Sequence, residues 1–300
     1  MPAQNAVMPV WMAPRCPAAL PWNADTAAVL LSAIDQRRSS IDRPYVVAVA
    51  GGSATGKSTQ VAARLAEHLG HLCCRIEQDH FQQRSAVIDR LNPRYRWDDP
   101  LNYGLEACAD LLERLRAGRE ATMPVYSFMD RRHTGTQTLE ARPVILLDGL
   151  YAGHESLQPW IDMALYVETP LYGRLLRRLF RNQFERYRNA DPARTLQGFL
   201  GPVLKAHREQ VRDQRGQAHW ILQNPYRFTE SLQRFGLQPV RQTDPIRRTY
   251  ALPAGLTLEL AGNPPGVTVF RIRYADRLYF PFPVDPETAD RLESLDLHEY

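Results

Sequence analysis

Apolar residues fall along the chain in short continuous runs separated by longer amphipathic stretches, the alternation from which parallel α/β sheets are built. Residues 46–50 are apolar without a break, as expected of a strand buried on both faces. Residues 143–147 and 163–167 repeat the pattern, with shorter runs near 71–76 and 219–222. Between them the periodicity turns helical. Asn23 or Asp25 caps a first helix to about Arg38, with Ala28, Leu31 and Ile34 on one face. Val61, Leu65 and Leu69 carry a second to Gly70, a C-terminal cap. A third opens at Asp99 and Pro100 and runs to about Gly118, with Leu105, Ala109, Leu112 and Leu115 inside. A fourth follows Pro170, and a fifth spans about 193–213. Residues 123–135 read as an extended hairpin.

From about Asn224 the pattern changes. Residues 256–260 alternate, 267–280 read as a β-hairpin turning near Ala275 and Asp276, and a short helix is expected at 286–295. The expected organisation is an N-terminal arm and helix over 1–43, a doubly wound α/β domain over 44–225, and a small α+β appendage over 226–300.

Composition narrows the classes. A formal charge of +4 on 300 residues gives no nucleic-acid signal by itself. The arginine clusters lack the interleaved aromatic platforms of an RNA module. No stretch approaches a membrane span. Prolines at 2, 9, 14, 17 and 21 and Arg15 break up the apolar start, which reads as a loose arm rather than a signal peptide. Cys16, Cys73, Cys74 and Cys108 have no metal-ligand spacing, and a reduced, cytoplasmic chain follows. Self-association is left open.

The chemistry concentrates at the end of the first strand. Gly51, Gly56, Lys57 and Ser58 fit G-x-x-x-x-G-K-[ST], the loop that cradles phosphates with backbone amides. Gly51, Gly52, Ser53, Ala54, Thr55, Gly56, Lys57, Ser58 and Thr59 form the expected polyphosphate cradle. Of the 37 basic residues only Lys57 and Lys205 are lysines, so a compact point charge has been placed where a phosphate wants one. Asp79 falls at the carboxyl end of the next strand, where open parallel sheets bind ligands. Asp148 closes an apolar run, as the acid of a Walker B strand does. Arg174, Arg177, Arg178 and Arg181 share one helical face, either solvated or turned toward a polyphosphate, and Arg186 and Arg188 extend it.

The segments GGSATGKST (51–59), QDHF (78–81), WDDP (97–100), PVYSF (124–128), LLDG (146–149) and RRLFRNQFERYR (177–188) resemble, in order and spacing, the uridine kinase and phosphoribulokinase family of P-loop kinases. The resemblance covers about 44–225. It implies ATP, magnesium and transfer of the terminal phosphoryl group to a small-molecule hydroxyl. Within it, Asp79 is the expected base. Ser58, Asp79 and Asp148 are the expected metal residues, and Lys57, Arg178 and Arg181 the expected charge-neutralising groups. Asp98, Tyr126, Phe128, Arg131, Arg186 and Arg188 would meet the acceptor.

Four positions depart from the uridine kinase pattern. Asp148 stands where glutamate is usual, Ser127 and Asn182 where aspartates are usual, and Arg131 where a base-contacting histidine is expected. A pyrimidine nucleoside is the first expectation for the acceptor. Arg131 and Arg132 keep open a sugar phosphate or a pantothenate-like acid, and an ATP-binding regulator without acceptor chemistry is the alternative of another class.

Overall fold

The computed structural model describes residues 17–83, 98–186, 191–227, 233–242, 247–252, 255–261, 269–274 and 277–283. The chain divides into two compact units, 1–168 with 205–224, and 169–204 with 225–300.

The first unit is built on six parallel strands. They are β1 (Ala19–Pro21), β2 (Tyr45–Ala50), β3 (Cys73–Glu77), β6 (Val144–Asp148), β7 (Met163–Glu168) and β8 (Trp220–Gln223), ordered β1-β8-β7-β2-β6-β3. Between β3 and β6 the chain makes an antiparallel hairpin of β4 (Ala121–Ser127) and β5 (Arg132–Leu139).

Every residue of β2 is buried. Alternation sends its side chains to opposite faces of the sheet. Val46, Ala48 and Ala50 join a core with Ile145, Leu147 and the inward residues of helix α3 (Leu105–Arg116), among them Leu111, Leu112 and Leu115. Val47 and Val49 join another with Leu146, Leu165, Leu30 and Ile34 of α1 (Ala24–Arg38), and Leu65 of α2 (Ala63–Leu69). Two faces, each covered by helices, make the expected doubly wound sheet.

Asn23 caps α1 by accepting from the Thr26 amide at 2.8 Å. The buried face of α1 is Ala27, Leu30 and Ile34, not the expected Ala28, Leu31 and Ile34; Ala28 is exposed. In a run as alanine- and leucine-rich as this, two stripes one residue apart are nearly equivalent, and the sheet decides between them. α3 starts at Leu105 rather than Pro100, because Asp99 caps a separate short turn, Pro100–Asn102, through the Leu101 amide at 2.9 Å.

The expected loose arm is overturned at its end. Residues 19–21 form an edge strand, where Pro21 lacks an amide at no cost to the ladder. Trp22 follows, 6% exposed, its Nε1 donating to the Gln60 carbonyl at 3.0 Å.

In the second unit, α4 (Leu171–Phe180) continues into the turns Arg181–Arg186, and α5 (Pro192–Gly198) follows. Five antiparallel strands form a meander: β9 (Pro239–Gln242), β10 (Arg247–Leu252), β11 (Leu256–Ala261), β12 (Val269–Tyr274) and β13 (Arg277–Pro283). The hairpin expected over 267–280 is the β12–β13 pair, closing at Tyr274 and Arg277. The helix expected at 286–295 lies outside the described residues. Cys73, Cys74 and Cys108 are free thiols. No helix among the described residues is long and apolar enough to cross a membrane.

Candidate active site

β2 delivers the chain into the phosphate loop from the middle of the sheet. Gly51 has φ +146°, and a Cβ there would lie 2.5 Å from the Val167 carbonyl oxygen of β7, so only glycine fits. The loop then turns on itself. Both the amide and the hydroxyl of Thr55 donate to the Gly52 carbonyl, at 3.3 and 3.0 Å. Gly56, left-handed at φ +82°, starts the helix, whose first turns over Lys57–Ala62 are wide before α2 continues them. Asn224, buried at the end of β8, donates to the Thr55 carbonyl at 2.7 Å and lies 2.6 Å from Gln60 Oε1, bracing the loop from the neighbouring element. Asn224 is a supporting residue that the sequence reading missed.

Three non-glycine residues among those described have positive φ: Ala54 (65°), Asp98 (65°) and Arg131 (52°). All three were expected at the site from sequence alone. Backbone held in this region costs of order 1–3 kcal/mol and gathers at functional sites.

The acidic residues come from adjacent parallel strands. Glu77 of β3 pairs in register with Asp148 of β6, and Val49 of β2 pairs with Asp148 on the other side. Asp148 therefore ends the strand beside the phosphate loop, 2% exposed. Its Oδ2 accepts from Arg75 Nε at 2.8 Å and lies 2.8 Å from Arg75 Nη2, which also donates to the Ser58 carbonyl at 3.2 Å. Asp79 follows two residues after β3, exposed, in the turn Gln78–Phe81. The oxygens of Ser58, Asp79 and Asp148 are hard donors of the kind magnesium takes. Among the described residues no three His, Cys, Asp or Glu side chains gather into a cage of their own.

The hairpin β4–β5 is fastened to the Asp79 turn by His80. The Tyr126 amide donates to His80 Nδ1 at 3.2 Å, and His133 Nε2 lies 3.3 Å from the His80 carbonyl. Tyr126 is buried and meets Phe128 and His133 edge-on, with ring centroids 5.1 and 5.4 Å apart. Ser127 closes the turn, its hydroxyl donating to Asp130 Oδ2 at 2.8 Å and accepting from the Asp130 amide at 3.1 Å. Asp98 meets Tyr151, whose hydroxyl donates to the Asp98 carbonyl. Burial, and then the charges of Asp98 and Asp99, push the Tyr151 phenol up, so it stays protonated and donating. His80, His133 and Tyr151 were not singled out from sequence. The signal for His80 was there, one residue after Asp79; His133 and Tyr151 required the fold.

The arginine helix belongs to the second unit. Leu175, Leu176, Leu179 and Phe180 are buried as expected, but so is Arg174, 1% exposed and stacked over Phe199 at 5.6 Å. Arg174 is thus part of a packed interior, not of a solvated basic face. Arg177 lies over the Tyr226 ring at 5.5 Å, and burial pulls its guanidinium down to about 10. Arg178 and Arg181 are part-exposed. Arg188 and the side chain of Arg186 lie outside what is described.

Residues 46–225 match the Phosphoribulokinase / Uridine kinase family. A uridine kinase of Macrococcus caseolyticus is 30% identical over 188 residues, covering 61% of this chain and 89% of its own length. A uridine kinase of Bacillus licheniformis is 28% identical over 187 residues, covering 60% and 86%. Among solved structures, one assigned as a fructose transport system kinase from Silicibacter sp. TM1040 superposes with a TM-score of 0.53 at 17% identity, over 65% of this chain and 98% of that one. This likeness concerns the fold.

Proposed function

The chain belongs to the phosphoribulokinase / uridine kinase family and is a phosphotransferase acting on a small-molecule hydroxyl; we propose that its donor is ATP with magnesium and its acceptor a pyrimidine nucleoside. The observation that carries the donor side is the loop of residues 51–59, where Gly51 and Gly56 take backbone conformations suited to glycine and the loop runs straight into a helix start. Lys57 is the point charge for the outer phosphates. Magnesium, when bound, supplies charge neutralisation on those phosphates. Ser58 and Asp79 would hold it, with Asp148 behind them.

On the acceptor side, Asp79 accepts the proton of the attacking hydroxyl, and its exposure suits a group that meets substrate. Asp98 binds acceptor hydroxyls. Tyr126, Phe128 and His133 offer ring faces and edges for a flat base, and His80 fixes them next to Asp79. The roles proposed for Arg178 and Arg181, neutralising the transferred phosphoryl, rest on the sequence match alone.

Arg131 and Arg132 at the hairpin turn favour a second reading, an alcohol that carries phosphate or carboxylate. An ADP-release screen over nucleosides, pentose phosphates and hydroxy acids separates the two. Turnover of uridine or cytidine supports the first; turnover of an anionic alcohol with no nucleoside activity replaces it with the second.

A further inference from the structure

Arg75 occupies an odd place for a charge. It lies inside β3, between buried Cys74 and Ile76, and its side chain reaches the acid at the end of the neighbouring strand. Its Nε and Nη2 both approach Asp148 Oδ2 at 2.8 Å. Nη2 also reaches Glu77 Oε1 at 3.3 Å and the carbonyl of Ser58, in the first turn after the phosphate loop, at 3.2 Å. The Asp148 side chain is 3% exposed and that of Arg75 26%.

A carboxylate this buried is costly unless a cation is held against it. Here the chain supplies that cation itself. A divalent ion arriving alone would have to displace a guanidinium held by three oxygen partners, or share a carboxylate already neutralised. An ion arriving on a polyphosphate brings most of its own ligands, the way magnesium is commonly held in phosphoryl-transfer sites. Resting on the kinase reading above, we propose that Arg75 is a built-in counter-cation of Asp148, a positioning residue that makes divalent-metal binding conditional on the nucleotide. The metal then enters as the metal–nucleotide complex, and the nucleotide-free protein is kept from loading metal ahead of its donor.

The test is Mn²⁺ binding to the full chain without nucleotide, read from the electron paramagnetic resonance signal of free Mn²⁺. Arg75→Met, which keeps much of the stem and loses the charge, is expected to bind Mn²⁺ at least tenfold more tightly than the parent, and adding Asp148→Asn to it should cancel the gain. Arg75→Lys should behave like the parent. Arg75→Gln, which loses the charge but keeps a polar side chain, should gain in the same way. This last arm stands even if Arg75→Met does not fold. A folded Arg75→Met or Arg75→Gln that binds Mn²⁺ no better than the parent would overturn the proposal. Adding ATP to the parent tests the other reading separately, read as Mn²⁺ and ATP retained together with the protein on ultrafiltration: absence of retention there counts against ATP with magnesium as the donor, while the nucleotide-free comparison still decides the role of Arg75.

Discussion

His80 joins two parts of the site that the chain keeps 46 residues apart, its ring accepting from the Tyr126 amide and its carbonyl meeting His133. Asp79, one position earlier, is thereby fixed against the β4–β5 hairpin, while its carboxylate stays exposed. Replacing that carboxylate by an amide of the same shape should remove the proposed proton acceptor and weaken a magnesium contact while leaving the phosphate loop intact. Asp79→Asn is expected to lower kcat by about 10²–10⁴ while ATP affinity in the absence of magnesium stays within twofold, measured by steady-state kinetics and calorimetric titration. Gly51→Ala should fail differently. Its Cβ would meet the Val167 carbonyl at 2.5 Å in a left-handed conformation, so nucleotide affinity is expected to fall at least tenfold, checked by the same titration. At this scale the phosphate loop was legible because each residue type there answers a backbone or charge requirement that is local in sequence. Arg75 and Asn224 were not, because their partners, Asp148, Thr55 and Gln60, come from other elements.

Among the elements, β2 depends on a charge cluster that a strand pattern cannot display. Asp162, just before β7, accepts from the Val46 amide at 2.9 Å and from Arg43 Nη1 and Nη2 at 2.8 and 2.7 Å, with Arg116 of α3 at 3.2 Å. Burial alone would raise the Asp162 pKa, but the bonds from Arg43 and Val46 and the charges of Arg116 and Arg43 outweigh it and hold the carboxyl below its usual range. A depressed acid stabilises the fold above its unfolded pKa and loses that contribution as pH falls through the folded one. Asp162→Asn should therefore cost roughly 2–3 kcal/mol at neutral pH, with the gap between parent and variant closing below about pH 4, measured by urea melts at pH 7 and pH 3. Helix and strand identities were readable here because apolar periodicity is strong in β2, β6 and α3. The buried stripe of α1 was misplaced by one residue because Ala28 and Leu31 satisfy the helical period about as well as Ala27 and Leu30.

At the scale of the molecule, residues 225–300 share a unit with 169–204. Phe235 stacks on Phe180 and Phe184 at 5.4 and 4.5 Å, and Tyr226 lies beneath Arg177. Cutting the chain after Asn224 would strip these rings from the arginine helix. Such a truncation is expected to lose solubility or melt well below the full chain, followed by circular dichroism; an unchanged melting curve would make 225–300 a detachable appendage. The sequence showed a change of pattern near 224 but not the grouping with 169–204, since which helix a distant segment covers is decided by packing. Phosphoryl transfer to a small-molecule hydroxyl with Asp79 as base can be followed by mass spectrometry of a mixed pool of nucleosides, sugar phosphates and hydroxy acids incubated with ATP, magnesium and the full chain. The expected product is one species heavier by a single phosphate, a pyrimidine nucleoside, formed by the parent and nearly absent with Asp79→Asn. Bound ATP with nothing phosphorylated, or product formed equally well by Asp79→Asn, would contradict it.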